Sequence, residues 1–257
     1  MGQDFYEQTE TGRKVFDTAS EILGFSMPEL CFEKNDRLDI TEYTQPAMVT
    51  ASLAMMKVLM EQTGIKPDAA AGLSLGEYPA MAAAGVMSAE DAIRTVRERG
   101  ILMQEAVPAG IGAMAAVLAM DAEEIEKVIA PIEGVQIANY NCPGQIVISG
   151  KKEAVDEAAE KLKEAGAKRV IPLNVSGPFH SKMLTEAEDV KPLLERQVSS
   201  SVRWEQTMRM MLADGVDTFI EIGPGKTLAG FMKKIDRSVR VINIEKLEDI
   251  EKVRELL

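Results

Sequence analysis

Residues 72–78 read Gly-Leu-Ser-Leu-Gly-Glu-Tyr. The G-x-S-x-G spacing is that of a nucleophile elbow, a strand-to-helix turn that holds a serine hydroxyl exposed in a strained conformation. A glycine on each side is expected, because such a turn leaves little room for a Cβ. The chemistry would be attack of the Ser74 hydroxyl on a carbonyl, with a covalent ester between two transfer steps. A serine needs a base for that task. The chain has one histidine, His180, so an imidazole base can only be that residue. The plainer readings are a strand-turn-helix whose serine merely caps the helix and a lone histidine bonded in a loop.

Composition narrows the field. The chain has 257 residues, 46% apolar and 27% charged, with a net charge of −12. That suits one large unit or two small ones. The acidic balance argues against nucleic acid as a partner. One histidine and two cysteines, Cys31 and Cys142, leave too few ligands for a zinc site, and no metal is expected. The two cysteines make no disulfide framework and read as buried, reduced thiols of a cytoplasmic protein. No apolar run is long enough to span a membrane. The N-terminus reads as neither a signal peptide nor a myristoylation site.

The elements that must position Ser74 and His180 follow from periodicity. Residues 4–24 predict a helix stopped by Gly24, and residues 44–62 a helix with Pro46 in its first turn, stopped by Gly64. Ala69 to Leu73 predicts a buried strand, and Leu75 to Ala84 a helix in which Pro79 is awkward. Ser88 opens a further helix through a capping pattern with Asp91. Residues 111–176 then alternate as βαββαβ, a ferredoxin-like unit inserted into an α/β core of 1–110 and 177–257. The fold class is thus α/β, with a parallel-sheet, α/β-hydrolase-like core carrying Ser74. Near the C-terminus, a strand at 216–222 leads into Gly223-Pro-Gly-Lys-Thr227. That turn is no P-loop, because the motif needs glycine at 220 and the residue is Ile220.

Five blocks, in order, resemble the malonyl-CoA:acyl carrier protein transacylase family of bacterial fatty acid synthesis. They are the elbow; Arg99-Gly100 with Met103 to Pro108; Ala138 to Asn141 with Pro143-Gly144-Gln145; Gly177-Pro178-Phe179-His180-Ser181; and Glu221 to Gly225. The resemblance implies that Ser74 attacks malonyl-CoA and that His180 is its base, oriented by the main-chain carbonyl of Gln197. The Leu75 N–H would serve the oxyanion. Arg99 would grip the malonyl carboxylate, and Phe179 would crowd an α-methyl group. Asn141 would touch pantetheine, although a turn residue of that type is as readily structural. It further implies no cofactor, and acyl carrier protein as partner. Lys151, Lys152, Lys161, Lys163, Lys168 and Arg169 are candidates for its docking.

The chain departs from the family in three places. Leu73 stands where histidine is common. The family's opening strand with Gly-Gln-Gly-x-Gln, whose last glutamine supplies an oxyanion donor, has no match in the sequence. Between His180 and Gln197 a block seen in the family is missing around Met183 to Glu186. Two other classes stay open: a catalytically impaired member that binds acyl-CoA or carrier protein, and a general serine esterase, against which Arg99 and Phe179 speak.

Overall fold

The structure, a computed structural model, describes residues 1–106, 111–173, 180–181 and 197–257. It is mixed α/β and divides into two compact units. One comprises Met1–Ile101, Val216–Gly230 and Arg237–Leu257; the other comprises Leu102–Gly215 and Phe231–Asp236. Of the described residues expected in the core, 102–106, 180–181, 197–215 and Phe231–Asp236 fall in the second unit.

The first unit begins with helices α1 (Gln3–Gln8), α2 (Glu10–Leu23), α3 (Met27–Phe32) and α4 (Thr41–Thr63). The single helix expected over 4–24 is split at Thr9. Its extended backbone lets the hydroxyl accept from the Gly12 N–H at 3.0 Å, a local cap that outcompetes continuous helix. The Gly24 and Gly64 stops are both left-handed, as glycine permits.

Helix α4 is buried along most of its length and begins three residues before the expected start at 44. Pro46 has no N–H to offer the Glu42 carbonyl one turn back. Arg97 Nη1 donates to that carbonyl instead, at 2.7 Å. A side chain distant in sequence thus repairs the helix that the proline would have shortened.

The expected strand over 69–73 does not form. Leu73 is extended, but among the described residues no ladder reaches this stretch, and Ala69 and Ala70 are exposed. A strand exists through its neighbour's hydrogen bonds. The parallel strands of this unit, β5 (Thr218–Ile222) and β6 (Arg240–Ile244), pair with each other. A 3-10 turn, Ser74–Gly76, follows and runs into α5 (Glu77–Ala83). Pro79 is the third residue of α5, where the missing N–H removes no helical bond, so the expected conflict does not arise. Helix α6 (Ala89–Ala106) starts under a Ser88 cap, its Oγ accepting from the Asp91 N–H at 3.0 Å.

The second unit carries β1 (Gly112–Leu118), α7 (Ala122–Ile129), β2 (Val135–Cys142), β3 (Gln145–Lys151), α8 (Lys152–Glu164) and β4 (Arg169–Pro172). The sheet is antiparallel throughout, in the order β2-β3-β1-β4. Period-two alternation decides its faces. Ala115 and Val117 pack with Ile125, Val155 and Leu162 of the two helices, whereas Met114 and Ala116 join Ala138 and Val147. Strand β2 runs three residues past its expected end at Asn139, with register shifts on either side of Asn139–Tyr140. Residues beside Val202 cover its edge: the Tyr140 N–H donates to Val202 O at 2.8 Å, and the Val202 N–H to Ala138 O at 2.7 Å. The chain continues into α9 (Trp204–Ala213).

The glycine turn after β5 leads to α10 (Thr227–Ile235). Both carboxylate oxygens of Glu221 accept from the first turn of that helix, at Leu228 N (2.9 Å) and Ala229 N (2.8 Å). The donors a phosphate would seek there are taken by a side chain, in keeping with the failed P-loop match. Among the described residues no helix is long and apolar enough to cross a membrane.

Candidate active site

The elbow is built as its sequence demands. Ser74 has φ 52°, left-handed for a non-glycine residue, a conformation that costs about 1–3 kcal/mol and collects at functional positions. Gly72 is required: a Cβ there would sit 1.9 Å from the Gly76 main chain. The expectation for the second glycine fails. Gly76 has an ordinary φ of −63° and open space where its Cβ would be. The first hydrogen bond of the 3-10 turn is Gly76 N–H to Leu73 O. The Leu75 N–H lies ahead of that ladder, where no helical acceptor claims it.

Arg99 comes from α6 and is 7% exposed. Its Nη1 donates to Gln45 Oε1 of α4 at 2.7 Å, and its Nη2 to Ser74 Oγ at 3.3 Å. Nε is buried without a hydrogen-bond partner among the described residues. The guanidinium lies 5.7 Å from the centre of the buried Tyr78 ring. Desolvation lowers the Arg99 pKa; Tyr78 and Glu77 act in the opposite direction. No carboxylate among the described residues comes within ion-pair distance of it, unlike Arg97, whose Nη2 meets Glu42 Oε2 at 2.8 Å. Two features hold α6 against the start of α4. Arg97 binds Glu42, and Gly100 passes so close that a Cβ would lie 2.7 Å from Glu42 Cα.

His180 lies in the second unit, 3% exposed, with φ 54°. Its Nδ1 is 2.9 Å from the carbonyl oxygen of Gln197. A carbonyl can only accept, so Nδ1 carries a proton, and in the neutral imidazole Nε2 then holds the lone pair that a general base requires. The His180 carbonyl in turn accepts from Gln136 Nε2 at 3.0 Å. Asn141 is 6% exposed in β2, and its Oδ1 is buried without a partner among the described residues. Phe179 lies outside the described residues, as does Met183 to Glu186.

Of the residues singled out in sequence, the structure joins Arg99 to Ser74 in the first unit and His180 to Gln197 in the second. Gln45, Tyr78 and Gln136 were not singled out. Gln45 is one polar residue among several in α4, such as Glu42, Thr50 and Lys57, so its type gave no signal, and nothing in the strand pattern distinguished Gln136. The supposed basic face of α8 is mixed: Lys152 pairs with Asp156 at 3.0 Å and Lys161 with Glu157 at 2.7 Å.

The family model described as acyl transferase domain matches residues 1–194. The malonyl CoA-acyl carrier protein transacylase of Bacillus subtilis (strain 168) is 45% identical, over 98% of this chain and 90% of its own length. That alignment runs over 288 residues against 257 here, so at least 31 of its positions have no counterpart in this chain. The structure of MCAT from Streptococcus pneumoniae is 42% identical with a TM-score of 0.93, covering all of this chain and 95% of that one. A malonyl-transacylase solved in complex with a type II PKS acyl-carrier protein is 34% identical with a TM-score of 0.94, over 100% and 95% of the two chains. The chain belongs to the malonyl CoA-acyl carrier protein transacylase family.

Proposed function

We propose that the protein transfers a malonyl group from malonyl-CoA to the phosphopantetheine thiol of acyl carrier protein. Ser74 Oγ attacks the thioester carbonyl, the C–S bond breaks, and CoA leaves as its thiol. The carrier's thiol then attacks the malonyl-serine ester and restores the hydroxyl. His180 takes the serine proton through Nε2 and gives it to the departing CoA sulfur; in the second step it takes the proton of the carrier's thiol and gives it to Ser74 Oγ. The Leu75 N–H supports the oxyanion, and Arg99 holds the malonyl carboxylate. Acyl exchange between sulfur and oxygen is redox-neutral, so the reading needs no cofactor. Phe179 against an α-methyl group and Asn141 toward pantetheine belong to the same proposal. So do the α/β-hydrolase-like core and the ferredoxin-like second unit, for which the βαββαβ order and antiparallel sheet speak. A cytoplasmic location fits two buried free cysteines.

The observation that carries this reading is the Arg99 guanidinium, buried, without a carboxylate partner among the described residues, and bonded to the elbow serine. A desolvated cation beside a nucleophile suits an acyl group that ends in an anion. The test is transfer. With malonyl-CoA and the phosphopantetheine form of a carrier protein, malonyl should accumulate on the carrier, and His180→Ala should suppress it. No transfer by the unaltered chain would reject the reading.

One observation favours a second reading, binding with weak turnover. The lead-in to the elbow, 69–72, has no ladder partner among the described residues. Normal binding of malonyl-CoA with negligible transfer would favour it.

A further inference from the structure

We infer that Gln45 is a specificity-determining positioning residue, which fixes the Arg99 fork while leaving its positive charge uncompensated. The inference rests on the proposed role of Arg99 as the malonyl carboxylate's partner.

The argument starts from what a buried guanidinium normally finds. Burial of a cation is costly, and the usual remedy is a carboxylate. Arg97, two residues earlier, has one in Glu42. Arg99 is the more deeply buried of the two, yet its 2.7 Å bond goes to the amide oxygen of Gln45, itself 5% exposed. An amide oxygen satisfies a donor and restrains the plane of the fork. It contributes a dipole, not a charge. Glu77 acts on Arg99 only through its Coulombic field, outside ion-pair distance, so the fork keeps its positive charge next to Ser74 Oγ, where it would attract an anionic acyl group. A carboxylate at the same place would make the same hydrogen bond and cancel that charge.

The placement of Gln45 is itself constrained. It precedes Pro46, at the turn where Arg97 binds the carbonyl that the proline leaves open and where Gly100 lets the two helices touch. The Gln45–Arg99 bond therefore joins segments already fixed to each other, so its geometry costs little further ordering.

Three variants separate charge from position. Gln45→Glu keeps size and acceptor but adds a negative charge. Gln45→Met keeps approximate size and charge neutrality but removes the acceptor. Arg99→Ala removes the cation. Each is scored by malonylation and acetylation of the intact protein from malonyl-CoA and acetyl-CoA, by the KM for each donor, and by melting temperature. Gln45→Glu should raise the malonyl-CoA KM by about tenfold or more, leave acetylation nearly unchanged, and melt no lower than the parent. Gln45→Met should lower the malonylation rate but keep most of the preference for malonyl. Equal loss of preference in Gln45→Met and Gln45→Glu would overturn the inference, because position alone would then explain it. So would an unchanged preference in Gln45→Glu, or a marked loss of its stability, since a lone buried cation should welcome the charge. If Arg99→Ala also keeps the parent's preference, the role of Arg99 is wrong and the inference falls with it. If Arg99→Ala loses the preference and Gln45→Glu does not, only the inference falls.

Discussion

Arg99 Nη2 donates to Ser74 Oγ at 3.3 Å while Nη1 of the same side chain donates to Gln45 at 2.7 Å. One planar group therefore bridges the elbow serine and a fixed helix. Lysine has the charge but only a compact point donor, and cannot reproduce the fork. Arg99→Lys should keep malonyl preferred over acetyl and lose malonyl transfer by about 1.5–3 kcal/mol in kcat/KM, the worth of one charge-assisted hydrogen bond. Steady-state rates with both donors decide this; an unaffected Arg99→Lys would show that the fork is not used.

The glycines of the elbow should behave unequally. Gly72→Ala forces a Cβ to within 1.9 Å of the main chain at Gly76, which must move. That variant should lose most Ser74 acylation and melt well below the parent. Gly76→Ala meets open space at an ordinary φ, so its melting should stay within about 1 kcal/mol of the parent. Equal damage at both positions would contradict the geometry of the turn.

His180 is held by a main-chain oxygen, so the side chain at 197 should matter little to catalysis. Gln197→Ala should keep most of the transfer rate, whereas His180→Ala should lose about 10²–10⁴-fold, the usual worth of a general base. Gln136 acts on the histidine's own carbonyl, and Gln136→Ala should shift the pH–rate profile more than the KM. A large loss of rate in Gln197→Ala would mean that its side chain, not its backbone, supports the imidazole.

The thiols should be silent in the folded protein. Burial pushes Cys31 up to about 11 and raises Cys142 as well, so little thiolate exists near pH 8. A thiol reagent at that pH should find neither cysteine in the native state and both after denaturation. Because the folded pKa lies above the unfolded one, this contribution to stability is complete below about pH 8.5 and is lost as pH rises toward 11. Rapid labelling of native Cys31 would contradict its burial.

Much of the architecture was legible in the sequence because its causes are local. The short apolar run Ala113 to Ala119 marked β1, and the glycines at 24 and 64 marked helix ends. The G-x-S-x-G spacing was enough to locate a strained serine. What was not legible depends on partners far along the chain. The start of α4 is set by Arg97 repairing the bond that Pro46 removes. The strand expected over 69–73 had the right residues and lacks a neighbour to pair with among the described residues. Thr9 looked like one more polar position on a helix, yet its cap to Gly12 divides that helix. At the site, residue type and spacing pointed to Ser74 and His180, and only the family resemblance pointed to Arg99. Gln45 acquires meaning only when α4 and α6 are side by side.

The central claim is that Ser74 carries a malonyl group, and intact-protein mass after brief exposure to malonyl-CoA measures it directly. The parent protein should gain the mass of one malonyl group and lose it again when carrier protein bearing a free phosphopantetheine thiol is added, and Ser74→Ala should gain nothing. A parent that stays unmodified, or a Ser74→Ala variant that is still malonylated, would contradict the account.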